Sequence, residues 1–85
     1  MLIISRKRGE FVLIGSSLAV RVLHTSPGKC VLLLIGEPHG VRRLRVGEAT
    51  EIAASQARVT IELVRGGIEA QLAIDAPKHV PIVRG

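Results

Sequence analysis

Eighty-five residues, 47% of them hydrophobic but with Phe11 as the sole aromatic, make one small domain whose core must be built from Val, Ile, Leu and Ala. Twelve Lys and Arg against seven Asp and Glu give a net charge of +5. That balance suits a polyanionic partner, nucleic acid first. No apolar run reaches membrane-spanning length, residues 1–15 lack a signal-peptide cleavage pattern, and the lone Cys30 cannot form an internal disulfide. A cytoplasmic protein with no membrane partner is the expectation.

In chain order, Leu2-Ile3-Ile4 and Phe11-Val12-Leu13-Ile14 read as two strands joined at Gly9 into a hairpin that ends at Gly15. Leu18, Val20 and Val22 alternate with Ala19 and Arg21, the period of a half-buried strand. Ser26-Pro27-Gly28 turns the chain, and Cys30 to Ile35 return as an apolar strand. Glu37-Pro38-His39-Gly40 interrupts that run, because proline cannot donate to a ladder, and Val41 to Val46 form a short basic strand. From Gly47 to Ala57 the spacing of Ala49, Ile52, Ala53 and Ala57 predicts a short helix, with Glu48 and Glu51 in its first turn. Val59, Ile61 and Leu63 resume strand alternation, Gly66-Gly67 turns, and Ala70, Leu72 and Ile74 return. Asp75-Ala76-Pro77 breaks the pattern, and Val80 to Arg84 make the last strand.

The second passage copies the first. At a spacing of 39, Gly28, Leu33, Ile35, Pro38, Val41 and Arg45 recur as Gly67, Leu72, Ile74, Pro77, Val80 and Arg84. Leu18, Val20 and Val22 recur as Val59, Ile61 and Leu63, with a loop two residues shorter. The pattern argues for an internal duplication in which the first hairpin has no second copy.

No catalytic constellation is visible. His24, His39 and His79 have no partner at ligand spacing, Cys30 lies within an apolar strand, and Gly66-Gly67 reads as a tight turn. Neither enzymatic activity nor a cofactor is expected. Basic residues gather instead at or beside strand ends: Arg6-Lys7-Arg8, Arg42-Arg43-Arg45, and Lys78 with Arg84. Arginine suits phosphate and guanine because its planar fork donates two parallel hydrogen bonds. The stacking aromatics of many RNA-binding sheets are missing, so recognition would rest on arginines, strand-edge backbone and aliphatic contacts. The same charges also serve to protect a strand edge from aggregation, and spacing alone does not separate the two roles.

Residues 1–15, Met-Leu-Ile-Ile-Ser-Arg-Lys-Arg-Gly-Glu-Phe-Val-Leu-Ile-Gly, resemble the first hairpin of the carbon storage regulator family (CsrA/RsmA). Residues 76–84, Ala-Pro-Lys-His-Val-Pro-Ile-Val-Arg, resemble that family's last strand, which ends in an RNA-contacting arginine. The resemblance implies an all-β fold with one short helix, a small strand-swapped β-sandwich or barrel. In it, the first strand of one subunit lies beside the last strand of the other, and two identical sites bind GGA-containing hairpin loops of messenger RNA. It also implies translational repression or altered transcript lifetime, with messenger RNA, or a small regulatory RNA, as partner. On this register residues 1–57 resemble one regulator-like unit of five strands and a helix, and residues 58–85 its last three strands again. Ile4, Arg6 and Lys7 then match the first-strand contact region, with Arg8 expected to add a backbone contact, and Val41, Arg43, Leu44 and Arg45 match the last strand. In a second register the first hairpin pairs with the later copy, and Val80, Ile82, Val83 and Arg84 take that place. A homodimer is the expected assembly, with a single chain that mimics the dimer as the alternative. The competing functions are a protein-interaction module of the same fold and a basic DNA-binding β-protein.

Overall fold

A computed structural model describes residues 1–84. The strands in chain order are β1 (Leu2–Lys7), β2 (Phe11–Ile14), β3 (Leu18–Ser26), β4 (Lys29–Gly36), β5 (Gly40–Arg45), β6 (Ala49–Ala54), β7 (Ala57–Arg65), β8 (Glu69–Asp75) and β9 (Ile82–Arg84). They form two antiparallel sheets, one four-stranded in the order β1-β8-β7-β6 and one five-stranded in the order β5-β4-β3-β2-β9. Alternate residues turn inward because side chains on a pleated strand repeat every second position. Val12, Ile14, Val20, Val22, Leu32 and Leu34 of one sheet join Ile4, Val59, Ile61, Leu63, Leu72 and Ile74 of the other in one buried apolar cluster. Among the described residues no helix is long and apolar enough to cross a membrane.

Three expectations are corrected. The segment Gly47–Ala57 is not helical: β6 runs through it and pairs with β7 from Ala49↔Glu62 to Ala54↔Ala57. Ile52 and Ala54 turn into the core as alternate residues. Ser55 and Gln56, at φ 52° and 60°, close the two-residue turn behind them. An isolated helix of that length is marginal in water, whereas the strand gains both a ladder and a buried face. The first hairpin is not a hairpin either, since β1 pairs with β8 and β2 pairs with β3 and β9. Gly9 turns a corner from one sheet to the other. Finally, the last strand is shorter than Val80 to Arg84, because ladder pairing begins at Ile82.

The internal repeat is present but is divided differently. Pairs Val20↔Leu34 and Val22↔Leu32 of β3–β4 recur as Ile61↔Ile74 and Leu63↔Leu72 of β7–β8, and each ladder shifts register just beyond, at Val22/His24 and Leu63/Arg65. The β4-to-β8 spacing is therefore 40 rather than 39, and the intervening loop is one residue shorter rather than two. A one-residue slip in register exchanges the two faces of a strand. The 39-residue alignment accordingly matches Ile35, which is exposed, with Ile74, which is buried.

The first two strands do have a copy. Lys7-Arg8-Gly9-Glu10 recurs 38 residues later as Arg45-Val46-Gly47-Glu48. At the first corner the Lys7 N–H donates to Glu10 Oε1 at 2.6 Å and the Gly9 N–H to the Val22 carbonyl at 2.7 Å. At the second the Arg45 N–H donates to Glu48 Oε1 at 2.7 Å and the Gly47 N–H to the Leu63 carbonyl at 2.9 Å. β5 and β6 thus repeat β1 and β2. The full register of β1 on β8, Leu2↔Ile74 to Lys7↔Glu69, is reproduced by β5 on β4, Gly40↔Leu34 to Arg45↔Lys29. The molecule is two four-stranded units, β1–β4 and β5–β8, that exchange their first strands, followed by β9, which crosses back to β2. A division into residues 1–57 and 58–85 does not describe it.

Candidate nucleic-acid interface

The two corners gather most of the basic residues. At the first, β1 ends in Arg6 and Lys7, Arg8 occupies the turn, and β2 begins at Phe11. β9 runs antiparallel along β2 with Arg84 opposite Val12, two residues past Glu10, so topology brings Arg84 to the same corner. Arg6 is half-buried, and its Nε donates to the Ser5 carbonyl at 2.8 Å. Lys7, Arg8 and Arg84 are exposed. Arg21 of β3 also reaches this corner, where its Nε donates to the Gly9 carbonyl at 3.2 Å.

The second corner lies on the far edge of the five-stranded sheet. There Arg45 stands directly opposite Lys29, whereas its counterpart Lys7 stands opposite Glu69. Like charges across a ladder repel, and here no acidic cross-strand partner relieves them. Lys29, Arg43 and Arg45 line a shallow depression of about 360 Å³ together with His24 and Glu48. The Glu48 carboxylate is committed to the Arg45 backbone N–H, so it caps the corner.

The two outer faces, equivalent under the repeat, have diverged in charge. The acidic strand residues Glu51, Glu62, Glu69 and Asp75 all belong to the four-stranded sheet. The five-stranded sheet carries Arg21, His24, Lys29, Arg43 and Arg45 outward at one end. Beyond them lies an apolar row in direct register, Val83-Leu13-Ala19-Ile35. The strands of the four-stranded sheet also carry Arg6, Lys7, Arg58 and Arg65, so their charges balance, whereas the strands of the five-stranded sheet have no acidic residue and are the more attractive to a polyanion.

Of the residues singled out from sequence, Ile4, Leu44 and Val80 belong to the core, at 2%, 5% and 4% exposure, and are not surface contacts. Strand alternation turns Ile4 of β1 and Leu44 of β5 inward, and Val80 is buried just before β9. Ile82 is half-buried against the core, while Val41, Arg43, Arg45, Val83 and Arg84 are exposed. Arg84 and the β1 residues share one corner, and Arg43 and Arg45 stand at the other, so the candidates form two groups. β1 lies beside β8 and β2 beside β9, while β2 also pairs with β3, so neither register describes the pairing in full. Arg45, which sequence aligns with Arg84, occupies instead the position equivalent to Lys7. Sequence reading did not single out Arg21 and Lys29. Their signals are a basic residue at an outward position of an alternating strand, and one that starts a strand after Pro27-Gly28.

Cys30 is buried, and burial pushes its thiol up to about 11. Among the described residues no three His, Cys, Asp or Glu side chains gather in a way that could hold a metal ion. No family model matches this chain, and no curated protein or solved structure is significantly similar to it.

Proposed function

We propose that this chain is a cytoplasmic, non-enzymatic RNA-binding regulator related to the carbon storage regulators, and that it acts as a single-chain counterpart of their interlocked dimer. Its target is a GGA-containing hairpin loop of messenger RNA, and the consequence of binding is blocked translation or altered transcript stability. One observation carries the reading. The first strand pairs with the second unit, and the last strand returns to the first unit, beside the β1–β2 corner. The family resemblance implies a first strand beside the last strand of the other subunit; here β1 pairs with β8 and β9 with β2, so the two share no ladder, but one chain brings both to the same corner.

In this reading Arg84 contacts a loop guanine, Lys7 and Arg8 hold the adjoining backbone, and Lys29, Arg43 and Arg45 take phosphates of the stem. Only the first contact distinguishes bases, since phosphate contacts carry no sequence information. Fluorescence anisotropy with a GGA hairpin and a scrambled-loop control tests the reading. Tighter binding to the intact loop is expected, and affinity should fall as salt rises. Equal affinity for both loops would leave only a basic surface. The apolar row Val83-Leu13-Ala19-Ile35 favours a second reading, a protein-interaction module, because monomeric proteins rarely leave large apolar patches uncovered.

A further inference from the structure

The repeat leaves one position empty. In the five-stranded sheet the outer edge of β2 is covered by β9, with Val12↔Arg84, Leu13↔Val83 and Ile14↔Ile82 in register and the Gly15 N–H donating to the Pro81 carbonyl at 2.8 Å. The equivalent strand of the other unit is β6, where Thr50, Glu51 and Ile52 stand for Val12, Leu13 and Ile14, and Ala53 stands for Gly15. β6 is an outermost strand of its sheet, with no strand on its far side. The segment between β4 and β5 is too short to supply one, since only Glu37, Pro38 and His39 separate those strands.

Open space adjoins the end of this strand where it turns into β7. An open groove of about 590 Å³ is lined by Glu51, Ile52, Ala53, Gln56, Ala57 and Arg58. β6 has no lysine, proline or bulge to blunt its exposed edge. Its only charge, Glu51, is in an exposed ion pair with Arg58 Nε at 2.8 Å.

We propose that the outer edge of β6 is a docking site for an extended segment of another protein that pairs with it antiparallel, by β-augmentation. The repeat specifies the occupant's chemistry. It has the pattern of this chain's own last strand: an apolar residue, proline, two further apolar residues, and a terminal arginine or lysine. By equivalence the occupant's isoleucine stands opposite Ile52 at the groove, as Ile82 stands opposite Ile14. Its basic end stands opposite Thr50, two residues from Glu48. The backbone groups that receive it belong to Ala49, Glu51 and Ala53, which alternate with the inward-facing Ile52 and Ala54.

A synthetic peptide of residues 76–84, titrated into the isotope-labelled chain, tests the site. Saturable one-to-one binding is expected, with shifted and exchange-protected amides at Ala49, Glu51 and Ala53. Ala53→Pro removes one of the receiving N–H groups and should weaken the peptide roughly tenfold, the worth of one backbone hydrogen bond. Because mapping is done on the unaltered chain, the outcome does not depend on that variant folding. Absence of saturable binding at millimolar peptide overturns the proposal. So do perturbations centred on Leu13 and Gly15, which would mean that the peptide merely displaces β9.

Discussion

Arg84 and Arg45 end strands of similar sequence but stand in different surroundings, and their substitution should separate two kinds of contact. Arg84 shares its corner with Arg8 and Lys7, so Arg84→Ala is expected to weaken GGA-hairpin binding by about 1–3 kcal/mol and to erase preference for the intact loop. Arg45 faces Lys29 across the ladder. Arg45→Ala should weaken intact and scrambled loops alike and lower the salt slope by about one phosphate contact. Anisotropy titrations of both variants at several salt concentrations distinguish these outcomes, and the reverse order would move base recognition to the second corner. Cys30 gives a separate expectation. With its thiol raised to about 11 by burial, little thiolate exists at pH 8. A thiol reagent that labels the unfolded chain within minutes should leave the native one unmodified; rapid native labelling would mean that β4 opens readily. At this scale Lys7, Arg8, Arg43, Arg45 and Arg84 were legible in the sequence as exposed basic residues near strand ends, whereas Arg21 and Lys29 were not. Nor was the burial of Ile4 and Leu44, because a strand's facing is fixed by pairing partners far away in the chain, or that of Val80, which precedes β9.

Eight of the nine strands, all but β6, were legible as apolar alternation or short apolar runs bounded by Gly and Pro, β9 with its start two residues early. β6 was not, for two reasons. Ala and Glu make Gly47–Ala57 look helical, and Ser55-Gln56 lacks the Asn-Gly or Asp-Gly signature of a two-residue hairpin. Both residues hold positive φ without being glycine, which costs roughly 1–2 kcal/mol each for ordinary L-residues. Gln56→Gly should therefore stabilise the protein by about 1 kcal/mol, read as a higher urea midpoint at unchanged slope; a lower midpoint would mean that the Gln56 side chain itself holds the turn. The corners provide a matched pair. Gly9 and Gly47 sit at φ 88° and 89°, and a Cβ at either would meet no atom within 4 Å. Replacing either with Ala should cost the same backbone strain, about 1–2 kcal/mol, so the two variants should unfold at nearly equal midpoints. A large difference would show that one corner is held by more than its backbone. The repeat was detectable from sequence, but its register was not. Aliphatic strands match one another equally well when shifted by one, and only the paired bulges at Val22/His24 and Leu63/Arg65 fix it.

For the molecule as a whole, both partners of every exchanged strand belong to one chain, and the buried cluster is closed without a second copy. Light scattering at micromolar concentration should give the monomer mass of 9.1 kDa; a stable species of twice that mass would return the assembly to a homodimer. Sequence led to the homodimer as the expected assembly and kept the single-chain mimic as the alternative, because a strand exchange between subunits and one between repeats leave the same residue pattern. The solitary strand β9 has a consequence for how such a protein engages a transcript. A dimer with two equal sites can clamp two hairpins of one message and gain avidity of about 10²- to 10⁴-fold. In the proposed reading this chain, with one such strand among its described residues, has a valence of one. It should coat a message carrying two GGA hairpins as two independent molecules, each bound as tightly as to a single hairpin. Repression by it would then rise in proportion to concentration, without the looping that a bivalent repressor imposes.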